Sequence, residues 1–193
     1  MKDNLIQYFS KFTRLTEPEI EALKESMNIV TFKKGTYVLR EGQTNADSYF
    51  VLEGLLRQCK SVDGDDISTN FFVENDWIIS MNSFSDNKTV SEDLICLEDC
   101  TLVIGNEEKA QKLFKQFPRL ETISRAVMES VFAEHQKQLS HYLTESPEQR
   151  YIRLVQTKPG IVQRVKQYQI ASYLGIKPES LSRIRKRMMQ SGI

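Results

Sequence analysis

The chain has 193 residues, 40% hydrophobic and 27% charged, the balance of an ordinary globular protein rather than a disordered one. That length gives one large domain or two small ones, and no apolar run approaches the roughly eighteen residues of a membrane span. The formal net charge is zero, but the charge is divided. From Arg150 onward there are ten basic residues and one acid, Glu179, a net of +9; the preceding 149 residues hold sixteen basic and twenty-five acidic residues, a net of −9. Such asymmetry fits a polyanion-binding module joined to something that does not bind polyanions.

Met1-Lys2-Asp3-Asn4 leads into an amphipathic segment with no signal-peptide core. The three cysteines, Cys59, Cys96 and Cys100, have neither disulfide nor zinc spacing. A cytoplasmic protein with structural thiols, no metal site and no membrane partner is expected.

Leu5, Ile6, Tyr8, Phe9 and Phe12 form a first helical stripe. Thr16-x-x-Glu19, with Pro18 at the helix start, is a capping-box signature for a second helix. From about Asn28 to Gly105 the apolar period becomes two, with turn signals at Lys34-Gly35, Glu41-Gly42, Glu53-Gly54 and Asp63-Gly64. Many short strands with regularly spaced glycines predict an antiparallel barrel, sandwich or roll, the later strands falling near Glu92–Leu97 and Thr101–Ile104.

Asn106 is a predicted N-cap, and a longer helix is predicted from Pro118. Leu120, Ile123, Val127, Val131, Glu134 and Gln138 follow at steps of three and four, a seam that serves either the β domain or a second copy of the chain. Ser146-Pro147-Glu148-Gln149 restarts a helix with Ser as cap and Gln three residues later. The change in charge places a domain boundary near residue 144.

The segment from Gln169 to Arg187 carries the strongest functional signal. Ile170, Ala171 and Leu174 give the inner face of one short helix, and Gly175 can take the left-handed conformation that ends it. Ile176 plugs the angle, Pro178 opens a second helix, and Leu181, Ile184 and Met188 face inward on it. This is a helix-turn-helix, whose second helix enters the DNA major groove. Its outward residues are Glu179, Ser180, Arg183, Lys186 and Arg187. Glu accepts from a cytosine amino group and Arg bonds guanine through two atoms, so Glu179 and Arg183 are the expected base readers, with Glu179 orienting Arg183. Lys177, Ser172 and Ser180 are better placed for phosphate oxygens.

Taken together, the chain resembles the Crp/Fnr family of bacterial transcription regulators over nearly all its length. The resemblance rests on Lys34-Gly35 through Glu41-Gly42, on Tyr49-Phe50-Val51-Leu52-Glu53-Gly54, on Asn75-Asp76-Trp77-Ile78 with Asn in place of a family Gly, on Gln149-Arg150-Tyr151, and on Ile170 to Ile176 through Leu181 to Ile184. It implies an α+β protein. An N-terminal antiparallel β-roll of the cyclic-nucleotide-binding type, jelly-roll-like with flanking helices, would span 1–117. A long dimerisation helix would span 118–143, with Leu120, Ile123, Val127 and Val131 at the dimer seam. A small C-terminal helix-turn-helix domain would span 144–193. The implied protein is no enzyme, and its partners are double-stranded DNA, a second copy and RNA polymerase.

Two departures qualify the resemblance. Nucleotide-binding members hold the ribose with a Glu and the cyclic phosphate with an Arg about ten residues later; in that register this chain has Ile79-Ser80 and Val90-Ser91. Tight binding of cyclic AMP or cyclic GMP is therefore not expected, since losing a charge-assisted contact costs about 1.5–3 kcal/mol. An unidentified effector, if one binds, would meet Ser80, Met81, Asn82, Ser83, Val90 and Ser91. No counterpart of the family's β-wing is expected after the recognition helix, which shifts expected DNA-backbone contacts onto Lys177, Arg185, Arg187 and the basic helix from Arg150. The alternative reading is a ligand-sensing or protein-interaction module with a degenerate DNA head.

Overall fold

In the computed structural model, residues 2–45, 47–79 and 89–190 are described. Two helices, α1 (Lys2–Ser10) and α2 (Glu17–Ser26), precede eight strands: β1 (Asn28–Phe32), β2 (Tyr37–Leu39), β3 (Ser48–Glu53), β4 (Leu56–Val62), β5 (Asp65–Phe72), β6 (Trp77–Ile79), β7 (Asp93–Cys96) and β8 (Cys100–Gly105). Helices α3 (Glu107–Gln116), α4 (Pro118–Thr144), α5 (Pro147–Thr157), α6 (Ile161–Arg164), α7 (Gln167–Tyr173) and α8 (Pro178–Gln190) follow. The strands form two four-stranded antiparallel sheets, in the orders β1-β8-β3-β6 and β2-β7-β4-β5. The alternating period foretold the antiparallel strands, and the family resemblance foretold their arrangement as an α+β roll.

Between the sheets lies a core that includes Val51, Leu56, Leu94, Cys96, Cys100 and Leu102. The outer face of the first sheet is also covered, because Leu5 and Tyr8 of α1 pack on Phe50, Leu52 and Val103. That double burial explains why Tyr49 to Leu52 reads as a continuous apolar run rather than an alternation. Gly54 ends β3 at φ +99°, and a Cβ there would stand 2.5 Å from the Asp99 carbonyl oxygen, so only glycine fits. Asn75 takes φ +72°, the left-handed region expected where the resemblance has a glycine, and one that Asn tolerates better than most residues.

The helix-start signals act as predicted. The Thr16 amide donates to Glu19 at 2.8 Å, Asn106 accepts from the amides of Glu108 and Lys109, and Ser146 and Gln149 form a reciprocal capping box.

The long helix divides its apolar residues between two uses. Leu120, Ile123 and Val127 are buried, the first two packing with Ile6, Leu15 and Leu23 of the N-terminal helices. Three of the four residues assigned to a dimer seam are thus taken up by the protomer itself, and Val131 is half-buried. The exposed apolar side chains of α4 are Phe132, Leu139, Tyr142 and Leu143. Within the protomer, the first half of the helix packs against the N-terminal helices, while the second half keeps these apolar side chains exposed.

A candidate nucleic-acid interface docked on the roll

Helices α7 and α8 meet on a buried apolar inner face. Ile170, Ala171, Leu174 and Leu181 are 0–1% exposed and Ile184 is 5% exposed, enough apolar burial to fix the angle between α7 and α8. The Gly175 amide donates to the Ser172 carbonyl and the Ile176 amide to the Ala171 carbonyl, both at 3.0 Å. Gly175 adopts φ +66°, as its place at a helix end predicts.

Pro178 begins α8, and Glu179, Arg183, Lys186 and Arg187 stand exposed along it, with Ser180 half-buried and Lys177 exposed just before. Arg183 donates to the Ser180 hydroxyl at 3.1 Å. The expected orienting contact from Glu179 is therefore replaced by one from Ser180. Arg187 pairs with Glu148 of α5 at 2.9 Å.

The same module is fastened to the β-roll, which the sequence did not disclose. Leu55 and Phe71 of the roll share one buried cluster with Tyr151, Leu154, Ile170, Leu174 and Leu181. Phe71 and Tyr173 meet edge to face with centroids 5.4 Å apart. Ser172 accepts from the Ser68 amide at 3.0 Å and donates to the Asp66 carbonyl at 3.3 Å, which ties α7 to β5. Arg57, 3% exposed, backs this seam by donating to Ser68 and to the Asp66 carboxylate.

Ion pairs complete the attachment. Arg164 donates to Glu74 at 2.8 and 3.0 Å and to Glu98 at 2.7 Å. Lys158 pairs with Asp76 at 2.7 Å and also donates to the Phe71 carbonyl. Burial alone would push the Glu74 carboxyl up, but Arg164 and the Gly54 amide hold it below the usual carboxylate range. The Arg164 guanidinium is driven up by the two carboxylates beside it.

The basic helix from Arg150 accordingly faces protein rather than presenting its charge for phosphates. Arg150 donates to the carbonyls of Tyr142 and Leu174, and Arg153 pairs with Glu145. Charge that the sequence reading assigned to DNA holds the C-terminal helices to the acidic remainder. Lys177, Arg183 and Lys186 remain on the exposed surface.

A cavity of about 710 Å3 lies between the roll, α4 and the C-terminal helices. Of the expected effector residues, Val90 and Ser91 line it, while Ser80, Met81, Asn82 and Ser83 fall outside the described residues. Val90 is 5% exposed and belongs to the roll core. The sequence reading missed Gln58, Glu92, His135 and Gln138, which also line the space. The polar half of the α4 seam held the signal for Gln138, whereas the strand positions carried none. Burial pushes the Cys59 thiol up to about 11, and all three cysteines are free and buried. Among the described residues no group of His, Cys, Asp or Glu is arranged to hold a metal, and no helix is long and apolar enough to cross a membrane.

Residues 29–117 match the family model of the cyclic nucleotide-binding domain. No curated protein matches the sequence. Among solved structures, the chain is similar to the c-di-GMP-responsive global regulator CLP of Xanthomonas campestris (18% identity, 92% of this chain and 93% of that one, TM-score 0.68). It is similar to the catabolite activator protein of Thermus thermophilus (19% identity, 94% and 87%, TM-score 0.55). FixK2 of Bradyrhizobium japonicum matches at 14% identity over 86% of each chain, with a TM-score of 0.68. A roll of the cyclic-nucleotide-binding type, a long helix and a terminal helical group together define a Crp/Fnr-like fold.

Proposed function

We propose that this protein is a sequence-specific, homodimeric DNA-binding regulator of transcription. The observation that carries the reading is the α8 surface: Glu179 and Arg183 stand exposed, one turn apart, on a helix whose opposite face buries Leu181 and Ile184. In a dimer two such helices would address successive major grooves about 34 Å apart. The exposed row of Phe132, Leu139 and Leu143 on α4 is the surface offered to the second copy. The test is selection from random duplex DNA followed by gel shifts. Arg183→Ala is expected to abolish preference for the selected site while leaving weaker, salt-sensitive binding. Retained preference would refute α8 as the reading helix.

A second reading, a sensing or protein-interaction module with a degenerate DNA head, draws on the docked geometry. Ser172, Lys158 and Arg164 are occupied by the roll. Failure of the selection to enrich any sequence would favour it.

A further inference from the structure

The long helix ends against the turn of the helix-turn-helix, and one arginine joins the two. Arg150 of α5 donates from one terminal nitrogen to the Tyr142 carbonyl and from the other to the Leu174 carbonyl, both at 2.8 Å. Both acceptors stand at helix C-termini, Tyr142 in the last turn of α4 and Leu174 as the cap of α7. Carbonyls there have no partner within their own helix and carry the negative end of its dipole. A guanidinium holds its donors at fixed angles, so serving two such ends at once fixes their relation.

Tyr142 meets the same joint twice. Its ring lies against the Arg150 guanidinium, whose central carbon is 4.6 Å from the ring centroid. Its hydroxyl reaches the turn itself, since a Cβ added at Gly175 would stand 3.0 Å from it. Arg150 is not placed as an ordinary ion-pair partner. It makes no salt bridge among the described residues, and its Nε is shut off from solvent without a hydrogen-bond partner. A buried donor left unpaired lowers stability, so the bridge between the two helix ends is kept against a cost.

We propose that Arg150 and Tyr142 are positioning residues, which set the recognition helix against the long helix and pass a change in α4 packing on to it. The inference rests on the reading of α8 as the DNA-reading helix. Leu174 packs in one buried cluster with Leu181 and Ile184 of α8, so a shift of the α7 end carries Glu179 and Arg183 with it. Tyr142 lies between Leu139 and Leu143, the exposed residues offered to a second copy. Dimer packing and the joint therefore share one turn of α4.

Two readouts on the full chain test the joint. Spin labels at Gln136→Cys on α4 and Met189→Cys on α8, both exposed positions, report the distance between these helices without DNA; the native cysteines are buried. Labelled subunits are diluted with unlabelled protein so that one protomer is read. The parent is expected to give a single narrow distribution, and folded Arg150→Gln a broadened or displaced one. In gel shifts, Arg150→Gln is expected to bind the selected duplex about tenfold more weakly and random duplex as the parent does. Where thermal melting shows Arg150→Gln to be unfolded, Tyr142→Ala, at a side chain 50% exposed, makes the same two tests. If the parent selects no sequence, the reading of α8 fails and the distance measurement alone decides on the joint. The proposal is overturned if a folded variant keeps the parent's distance distribution, if it keeps the parent's sequence preference, or if it weakens equally on all duplexes, which would make Arg150 a phosphate contact.

Discussion

Arg164 and Glu74, ninety residues apart in the chain, are joined by two hydrogen bonds of 2.8 and 3.0 Å, and Glu98 closes the other side of the same guanidinium. The pairing connects α6 to the β5–β6 connection, so it links the C-terminal helices to the roll. Arg164→Ala leaves two carboxylates facing each other with no cation between them. The expected loss is about 1–2 kcal/mol, discounted for partial solvent access. For a chain of this size that lowers the melting temperature by roughly 2–8 °C, which calorimetry would read directly.

The direction of the Glu74 shift sets a pH dependence. Its carboxyl titrates below the ordinary range in the folded chain, so its contribution is full above the unfolded value, about 4.3, and is lost as pH falls through the folded one. Glu19 and Glu145 shift in the same direction, so the wild type alone cannot separate them. The melting-temperature difference between the wild type and Glu74→Gln isolates the effect: constant from neutral pH to about pH 5, then shrinking in acid. A difference that grows as pH falls below 4 would contradict the assignment.

Sedimentation should separate the two halves of α4. Leu139→Glu combined with Leu143→Glu changes only exposed side chains and is expected to give a folded monomer. Leu120→Ala removes a side chain that is 3% exposed and is expected to cost about 2–5 kcal/mol of stability, without selectively dissociating a dimer.

Salt dependence distinguishes phosphate contacts from base contacts. Lys177→Ala is expected to weaken binding equally on all sequences and to reduce the salt slope by about one unit.

Val90 is an apolar residue of the roll core, in the register where the family resemblance expects a phosphate-binding arginine. Titration calorimetry with cyclic AMP is expected to show no binding in the low-micromolar range. A low-micromolar dissociation constant would show that another group supplies the charge.

The local architecture was legible because its signals are local. Capping residues at Thr16, Asn106 and Ser146, the glycine at 175 and the proline at 178 each act within one helical turn. The inner face of the helix-turn-helix was legible for the same reason, since Ile170, Leu174, Leu181 and Ile184 repeat at helical spacing. What the sequence concealed depends on pairing over distance. A count of charges assigned the basic tail to DNA, yet Lys158 and Arg164 find Asp76, Glu74 and Glu98 some eighty residues away. Periodicity likewise found the α4 seam but could not say which partner it met. Leu120 and Ile123 are claimed by Ile6, Leu15 and Leu23, whose place beside α4 follows only from the complete fold.

Ser172 brings a thermodynamic constraint. Its hydroxyl proton is committed to the Asp66 carbonyl and its oxygen to the Ser68 amide. A phosphate oxygen at the start of a duplex site would require that same proton. Under the proposed function, undocking and DNA engagement through Ser172 become two faces of one equilibrium. By linkage, whatever factor the roll costs the head in DNA affinity, DNA returns as a weakening of the head's hold on the roll. The operator would then act as a competing ligand for the α7–β5 seam as well as a target to be read.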